Sequence, residues 1–195
     1  DRLTAKLQNK NGVSGMKFKT NLMDADAVSR TVRRISHEIL EKNKGCENLC
    51  LVCILRRGVP IAQMIAENIK KFEGVDVPVG VLDIALYRDD ITELSDQAHL
   101  NGTDIRFNVS GKKIVLVDDV FYTGRTARAA MEAVIALGRP SKIQLAVLVD
   151  RGHRELPICA NFIGKNFPTS RSEMIKVSVD RFDGETKVDL YDIED

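Results

Sequence analysis

The sequence predicts an α/β fold: a mainly parallel sheet flanked by helices on both faces. Three observations carry that expectation. The segments at 49–55, 114–120 and 143–150 are largely continuous apolar runs, the pattern of strands buried on both faces. Stretches with helical spacing separate them, which is the order of βαβ units. With 195 residues, 44% of them hydrophobic, the chain can build one substantial core, and its length favours one domain over two.

The elements follow in order. Residues 1–15 are polar and aperiodic and read as a leader or disordered arm, so the domain is taken as 16–195. Asp24 or Asp26 caps a helix that runs to about Asn43, with Val28, Val32, Ile35, Ile39 and Leu40 at helical spacing and Lys44-Gly45 as its stop. The other face of that helix carries Arg30, Arg33, Arg34 and His37. A strand over 49–55 leads into "RRGVP" as a turn and a helix over 61–71. After the break at Gly74, "VPVGVLDIALY" has the β-branched content of a strand. A strand over 114–120 precedes "RTARAAMEAVIALG", a helix closed by Gly138 and Pro140. "IQLAVLVD" is one more strand, and "IKVSV" and "KVDLY" are shorter ones. Residues 87–111 are polar and weakly patterned, and connections of that length are often lids; a surface hairpin arm is compatible with the same role.

Charge and cysteine content exclude several function classes. The 29 Lys+Arg nearly cancel the 28 Asp+Glu, so no global field draws the chain to nucleic acid or membrane, and any polyanion site is a local patch. No apolar run approaches the roughly 20 residues of a membrane span, and the N-terminus lacks the apolar core of a signal peptide. The chain reads as soluble and cytoplasmic. Cys50 and Cys53 have CxxC spacing, but inside a strand positions three apart point to opposite faces, and Cys46 and Cys159 stand alone. Buried free thiols fit better than a metal site.

In such a sheet, ligands sit beyond the carboxyl ends of the strands. Three strands end in polar clusters: "RRG" at 56–58, "DD" at 118–119 and "DRGHRE" at 150–155. The stretch "VDDVFYTGRT" places Asp118 and Asp119 at the exit of a buried strand, where extended geometry sends the two carboxylates in different directions, suited to two hydroxyls. "TGRT" then turns into an Ala-rich helix, offering backbone N–H groups, the hydroxyls of Thr123 and Thr126 and a positive helix end, which together make a phosphate cradle. Carboxylates for sugar hydroxyls beside a phosphate cradle describe a ribose-5-phosphate site. A cap-and-turn role explains the same residues without chemistry. A nucleotide hydrolase needs a GxxxxGK[ST] loop, which the chain lacks, as it lacks GxGxxG.

"VLVDDVFYTGRT" resembles the phosphoribosyl pyrophosphate (PRPP) signature of type I phosphoribosyltransferases. "LDIALYRDDIT", "LGRPSKIQLAVLVDRGHRELPI" and "IGKNFPTS" are similar to the PyrR family, bacterial pyrimidine-operon attenuation proteins that are also uracil phosphoribosyltransferases. The resemblance implies the type I fold with a flexible lid, transfer of the phosphoribosyl group of PRPP to uracil, and Mg²⁺ carried with PRPP. It implies that Asp118 and Asp119 bind the ribose hydroxyls and help place Mg²⁺-PRPP, that Thr123, Gly124, Arg125 and Thr126 hold the 5-phosphate, and that Val120, Phe121 and Tyr122 belong to the same PRPP-binding segment. Arg56, Arg57 and Gly58 match the pyrophosphate loop, with Arg57 meeting the leaving group; relatives usually carry Thr where Arg56 stands. Tyr87 and Arg88 fall on the lid, Arg151 lies near the substrate, and the backbone around Ile163 reads the uracil edge. Arg33, Arg34, His37, Arg154 and Lys165 match a basic face that binds pyrimidine-operon mRNA leaders under control of UMP or UTP, on a homodimer or homotetramer. A uracil or purine phosphoribosyltransferase without an RNA-regulatory role stays open as the alternative.

Overall fold

A computed structural model describes residues 15–84 and 103–193. The elements in chain order are β1 (Met16–Met23), α1 (Ala25–Asn43), β2 (Leu49–Ile54), α2 (Gly58–Glu73), β3 (Val79–Leu82), β4 (Lys113–Phe121), α3 (Arg125–Ala136), β5 (Lys142–Asp150), β6 (Phe162–Asn166), β7 (Glu173–Ser178), α4 (Asp180–Asp183) and β8 (Lys187–Ile193). A five-stranded sheet has the order β3-β2-β4-β5-β6, and every pairing in it is parallel.

Side-chain alternation along the buried strands builds two cores. Leu51 and Cys53, Val115 and Val117, and Ala146 and Leu148 face Val28, Val32, Ile35 and Ile39 of α1 and Ile61, Ile65 and Ile69 of α2. The intervening residues Cys50, Val52, Ile54, Ile114, Leu116, Leu145 and Val147 face Ala127, Ala129, Ala130, Ala133 and Val134 of α3. The sheet is therefore covered on both sides, which is why its strands are apolar at successive positions. The same alternation puts Cys50 and Cys53 on opposite faces; burial pushes the Cys53 thiol up to about 11, and its Sγ donates to the Gly80 carbonyl at 3.2 Å. Among the described residues the cysteines are free thiols, with Cys159 exposed and Cys46 partly so.

Local chemistry sets the helix ends. Asp24 caps α1 by accepting from the Ala27 N–H at 2.7 Å, and Lys44 closes it in the left-handed region at φ 56° with Gly45 donating to Leu40 O. Helix α2 begins at Gly58, earlier than the 61–71 expected, and takes Pro60 into its first turn. A proline costs nothing there, because the first-turn N–H groups have no intrahelical acceptor.

Three elements are absent from the sequence reading: β1, β6 and α4. Strand β1 joins β8 and β7 in a separate antiparallel sheet of order β1-β8-β7, whose five outward-facing residues in β1 hide its periodicity. Strand β6 is short and ends in exposed Lys165 and Asn166. The expected lid residues Tyr87 and Arg88 lie outside the described residues; the chain re-enters along β3 through paired bonds between Val81 and Asp104. No helix among the described residues is long and apolar enough to cross a membrane.

Candidate active site

The strand order reverses between β2 and β4: β3 lies to one side, while β5 and β6 continue on the other. A crevice opens beyond the carboxyl ends of such a pair. The chain fills this one with two strand-to-helix turns. β2 leads through Arg56 and Arg57 into α2, and β4 leads through Tyr122, Thr123 and Gly124 into α3. Two helix N-termini thus stand at neighbouring strand ends, with Asp118 and Asp119 on β4 between them.

Gly58 makes that closeness possible. A Cβ there would lie 2.5 Å from the Val117 carbonyl oxygen and 3.5 Å from Asp118 Cα, so the start of α2 rests directly on the β4 backbone. Its requirement is for space, since its φ is ordinary. Gly124 has the other requirement: at φ 92° it turns the chain into α3 through the left-handed region.

The turn after β4 encloses a cavity of about 340 Å³ lined by Asp118, Val120, Phe121, Tyr122, Thr123, Gly124, Arg125, Thr126, Ala127 and Glu155. Thr123 Oγ1 accepts from the Arg125 N–H at 3.4 Å, and the Thr123 carbonyl accepts from the Glu155 and Leu156 N–H groups, tying the segment after β5 over the cradle. The expected cradle residues are therefore gathered in one wall. Glu155, which the sequence reading passed over, joins them by accepting from Arg125 Nε at 2.8 Å.

The charges of Asp118 and Asp119 act on one another. Burial, and then the charge of Asp119, push the Asp118 carboxyl well above its ordinary range; a side-chain hydrogen bond with Asp119 adds to this and a bond from the Asp119 N–H opposes it. That N–H donates to Asp118 Oδ1 at 2.9 Å, and the Val120 N–H donates to Asp119 Oδ1 at 2.9 Å. Each carboxyl folds back onto the next peptide, which holds both at the exit of β4. Such a pair gains from a cation or from hydroxyl donors. Among the described residues no cluster of three His, Cys, Asp or Glu could cage a metal; the pair by itself offers hard oxygen ligands of the kind that Mg²⁺ takes.

Residues 19–174 match the family model of the phosphoribosyl transferase domain. The bifunctional protein PyrR of Thermus thermophilus is 60% identical over 179 residues, covering 92% of this chain and 99% of that protein. PyrR of Acetivibrio thermocellus is 58% identical over 176 residues, 90% of this chain and 96% of its own. The chain belongs to the PyrR family. The hypoxanthine phosphoribosyltransferase of Trypanosoma cruzi shares the fold, with a TM-score of 0.68 at 17% identity over 91% of this chain and 98% of that one.

Other residues that the family resemblance singled out are placed as follows. Arg57 lies at the start of α2 with its guanidinium bonded to Asp183 and to the Val177 carbonyl, contacts not foreseen from sequence. Arg56 is exposed. Arg151 is buried and held by one side of its fork: Nε donates to Thr169 Oγ1 at 3.0 Å, Nη2 donates to the Ser170 and Glu173 carbonyls at 3.1 and 2.6 Å, and the guanidinium lies 4.2 Å from the Tyr122 ring centroid. It holds the segment after β6 against the cradle, which makes it a support of the site.

Ile163 is in register with Asp118 through Val147, two strands away, but its carbonyl accepts from Arg34 Nη2 at 3.1 Å and its side chain packs in the α3-side core.

The five basic-face residues divide into three places. Arg34 and Lys165 meet around a cavity of about 260 Å³ that also includes Ala27, Thr31 and Arg30, a residue the RNA reading had omitted. Arg33 and His37 lie at the α1–α2 seam, where the His37 ring stacks on Phe72 at 3.8 Å and Arg33 lies 5.8 Å from the same ring. Arg154 turns to the strand ends, bonded to Asp150 and 5.5 Å from the Phe121 ring, a wall of the cavity after β4. The family resemblance marked these residues in the sequence; which basic residues converge depends on how α1 packs against β6.

Proposed function

We propose that the protein is a uracil phosphoribosyltransferase that also regulates pyrimidine-biosynthesis mRNA. The observation that carries the enzymatic half is the pair of helix N-termini flanking one carboxylate pair at adjacent strand ends. PRPP carries a monophosphate at one end of a ribose, a pyrophosphate at the other and hydroxyls between. The start of α3, with Thr123 and Thr126, receives the 5-phosphate through N–H groups and the helix dipole. The start of α2, with Arg57 and Gly58, receives the pyrophosphate. Asp118 and Asp119 receive the ribose hydroxyls.

This arrangement fixes the sugar at both ends, which converts an encounter into a positioned reaction. The bond from the anomeric carbon to pyrophosphate oxygen breaks as the bond from that carbon to uracil N1 forms, and the N1 proton leaves. Positive charge develops on the ribose, and the carboxylates beside its hydroxyls lower the energy of that state. Mg²⁺ with PRPP would be held on the Asp118 and Asp119 side and supplies charge neutralisation for the departing pyrophosphate. Hydroxyl donors at the pair favour its ionised form, offsetting the burial that otherwise raises Asp118.

The regulatory half rests on the convergence of Arg30, Arg34 and Lys165, with Arg33 and His37 farther along the same helix. Their partner is the leader of pyrimidine-operon mRNA, with UMP or UTP tightening binding, and the working form is a homodimer or homotetramer in the cytoplasm.

Incubation with PRPP, Mg²⁺ and each of uracil, hypoxanthine, guanine and orotate tests the enzymatic half. UMP and pyrophosphate are expected from uracil alone and only with Mg²⁺ present. Consumption of hypoxanthine or guanine without uracil would refute the assignment.

A further inference from the structure

We infer that Asp183 of α4 is a positioning residue for pyrophosphate, acting through Arg57 by fixing the orientation of its guanidinium. The inference rests on the reading of Arg57 as the arginine that meets the leaving group. Arginine is a planar fork of five N–H donors on a long, flexible stem, and anchoring part of the fork spares the cost of ordering it at each binding event.

The geometry divides that fork. Nη1 donates to Asp183 Oδ2 at 2.9 Å and also to the Val177 carbonyl, and Nη2 donates to Asp183 Oδ1 at 3.4 Å. Asp183 thus takes the end-on edge of the guanidinium, and the Val177 carbonyl takes the outer Nη1 hydrogen. The Nε–H and the outer Nη2–H have no protein partner among the described residues. These two N–H groups are parallel and spaced for two oxygens of one phosphate or carboxylate. The contacts therefore leave open the edge suited to bidentate anion binding, on a residue adjoining Gly58 and so next to Asp118.

Asp183 is itself held. Its Oδ2 accepts from the Val179 N–H at 2.9 Å. Burial works to raise its carboxyl, but the Val179 N–H and the Arg57 guanidinium outweigh this and keep it below the usual carboxylate range. Beside it, Arg181 Nη1 donates to Gln63 Oε1 of α2 at 2.9 Å, a second tie between α4 and the helix that carries the pyrophosphate loop. Helix α4 joins β7 to β8, so the second sheet contributes a residue to the leaving-group end of a site otherwise built on the first.

The test compares Asp183→Asn, Asp183→Glu, Arg57→Ala and the double variant Asp183→Asn/Arg57→Ala. The measurements are magnesium pyrophosphate affinity by calorimetry, KM for PRPP, KM for uracil, and Tm. Asn keeps an acceptor for the Val179 N–H, and Glu keeps the charge while displacing it by one methylene, so a failure of either to fold leaves the other as the probe. Each is expected to weaken pyrophosphate binding and raise KM for PRPP by about tenfold, the effect of losing a charged hydrogen bond, with KM for uracil unchanged.

In the double variant the loss should equal that of Arg57→Ala alone, because a residue that acts only through Arg57 has nothing left to position. Additive losses, or pyrophosphate bound by the Asp183 variants as tightly as by the parent or tighter, would overturn the inference. Unchanged pyrophosphate affinity in Arg57→Ala would instead show that Arg57 is not the leaving-group arginine, and both readings would fall together.

Discussion

The Asp119 N–H donates to Asp118 Oδ1 at 2.9 Å, and the two neighbouring carboxyls stand near the exit of β4, where Asp118 lines the cavity. Their shared position predicts that Asp118→Asn and Asp119→Asn each reduce kcat/KM for PRPP by about ten- to a hundredfold, the cost of removing a charged acceptor of roughly 1.5–3 kcal/mol. Circular dichroism should show an intact fold. PRPP kinetics unchanged in both variants would remove the ribose role.

Asp118 also predicts a stability effect of the opposite sign. Its carboxyl is raised above the ordinary value of 3.8, first by burial and then by Asp119. Between 3.8 and its raised value the native state holds a proton that the unfolded state releases, so this group makes the protein less stable as pH climbs through that window. Asp118→Asn removes the cost. The variant should melt above the parent at neutral pH, and the gap should close as pH falls to 3.8. A parent that melts higher at neutral pH contradicts the raised carboxyl.

Gly58→Ala should damage the site by steric means alone. Its Cβ would stand 2.5 Å from the Val117 carbonyl oxygen, which is backbone and cannot rotate away. Forcing α2 off β4 costs about 1–3 kcal/mol, as overpacking does elsewhere, and moves Arg57 from Asp118. A lowered Tm together with a raised KM for PRPP is the expected result, and parental values of both would show that the contact is slack.

For the RNA half, Arg30→Glu with Lys165→Glu is a cleaner variant than one at Arg34, whose guanidinium also ties the Ile163 and Gly164 carbonyls to α1. Binding to a pyrimidine-operon leader should fall sharply, with uracil transfer nearly unchanged. The slope of log affinity against log salt should lose about 0.7 to 0.9 per phosphate contact removed. Leader binding equal to that of the parent would remove this patch from the interface.

Arg151→Lys should loosen the segment from Thr169 to Glu173. A lysine cannot reproduce the fork that reaches Thr169, Ser170 and Glu173 while lying on Tyr122. Leaving these part-buried acceptors without donors costs up to roughly 1–3 kcal/mol. Faster amide exchange across 169–173 is the expected readout, and parental protection there would show that other contacts suffice.

How much of this was legible in sequence depends on the range of the signal. Asp24 and Lys44-Gly45 mark the ends of α1 because caps act on N–H and C=O groups within a turn of themselves. The apolar runs of β2, β4 and β5 identify strands covered on both faces because burial is read residue by residue. Strands β1 and β6 gave no comparable signal: one exposes most of its length, the other is short and half polar.

The local order of residues determined by itself that carboxylates would leave a buried strand and be followed at once by a glycine turn and a helix N-terminus, since strand direction and helix polarity are properties of the chain. It could not determine what Arg57, Arg151, Arg154 and Glu155 do. A long side chain chooses among acceptors brought from distant segments, and only the packing of the second sheet and of the loop after β5 set Asp183, the Ser170 and Glu173 carbonyls, Asp150 and Arg125 within reach. Apart from the Asp150–Arg154 pair, which is local, the tertiary structure decided their partners because those contacts span from 19 to 126 residues, distances at which sequence carries charge but no geometry.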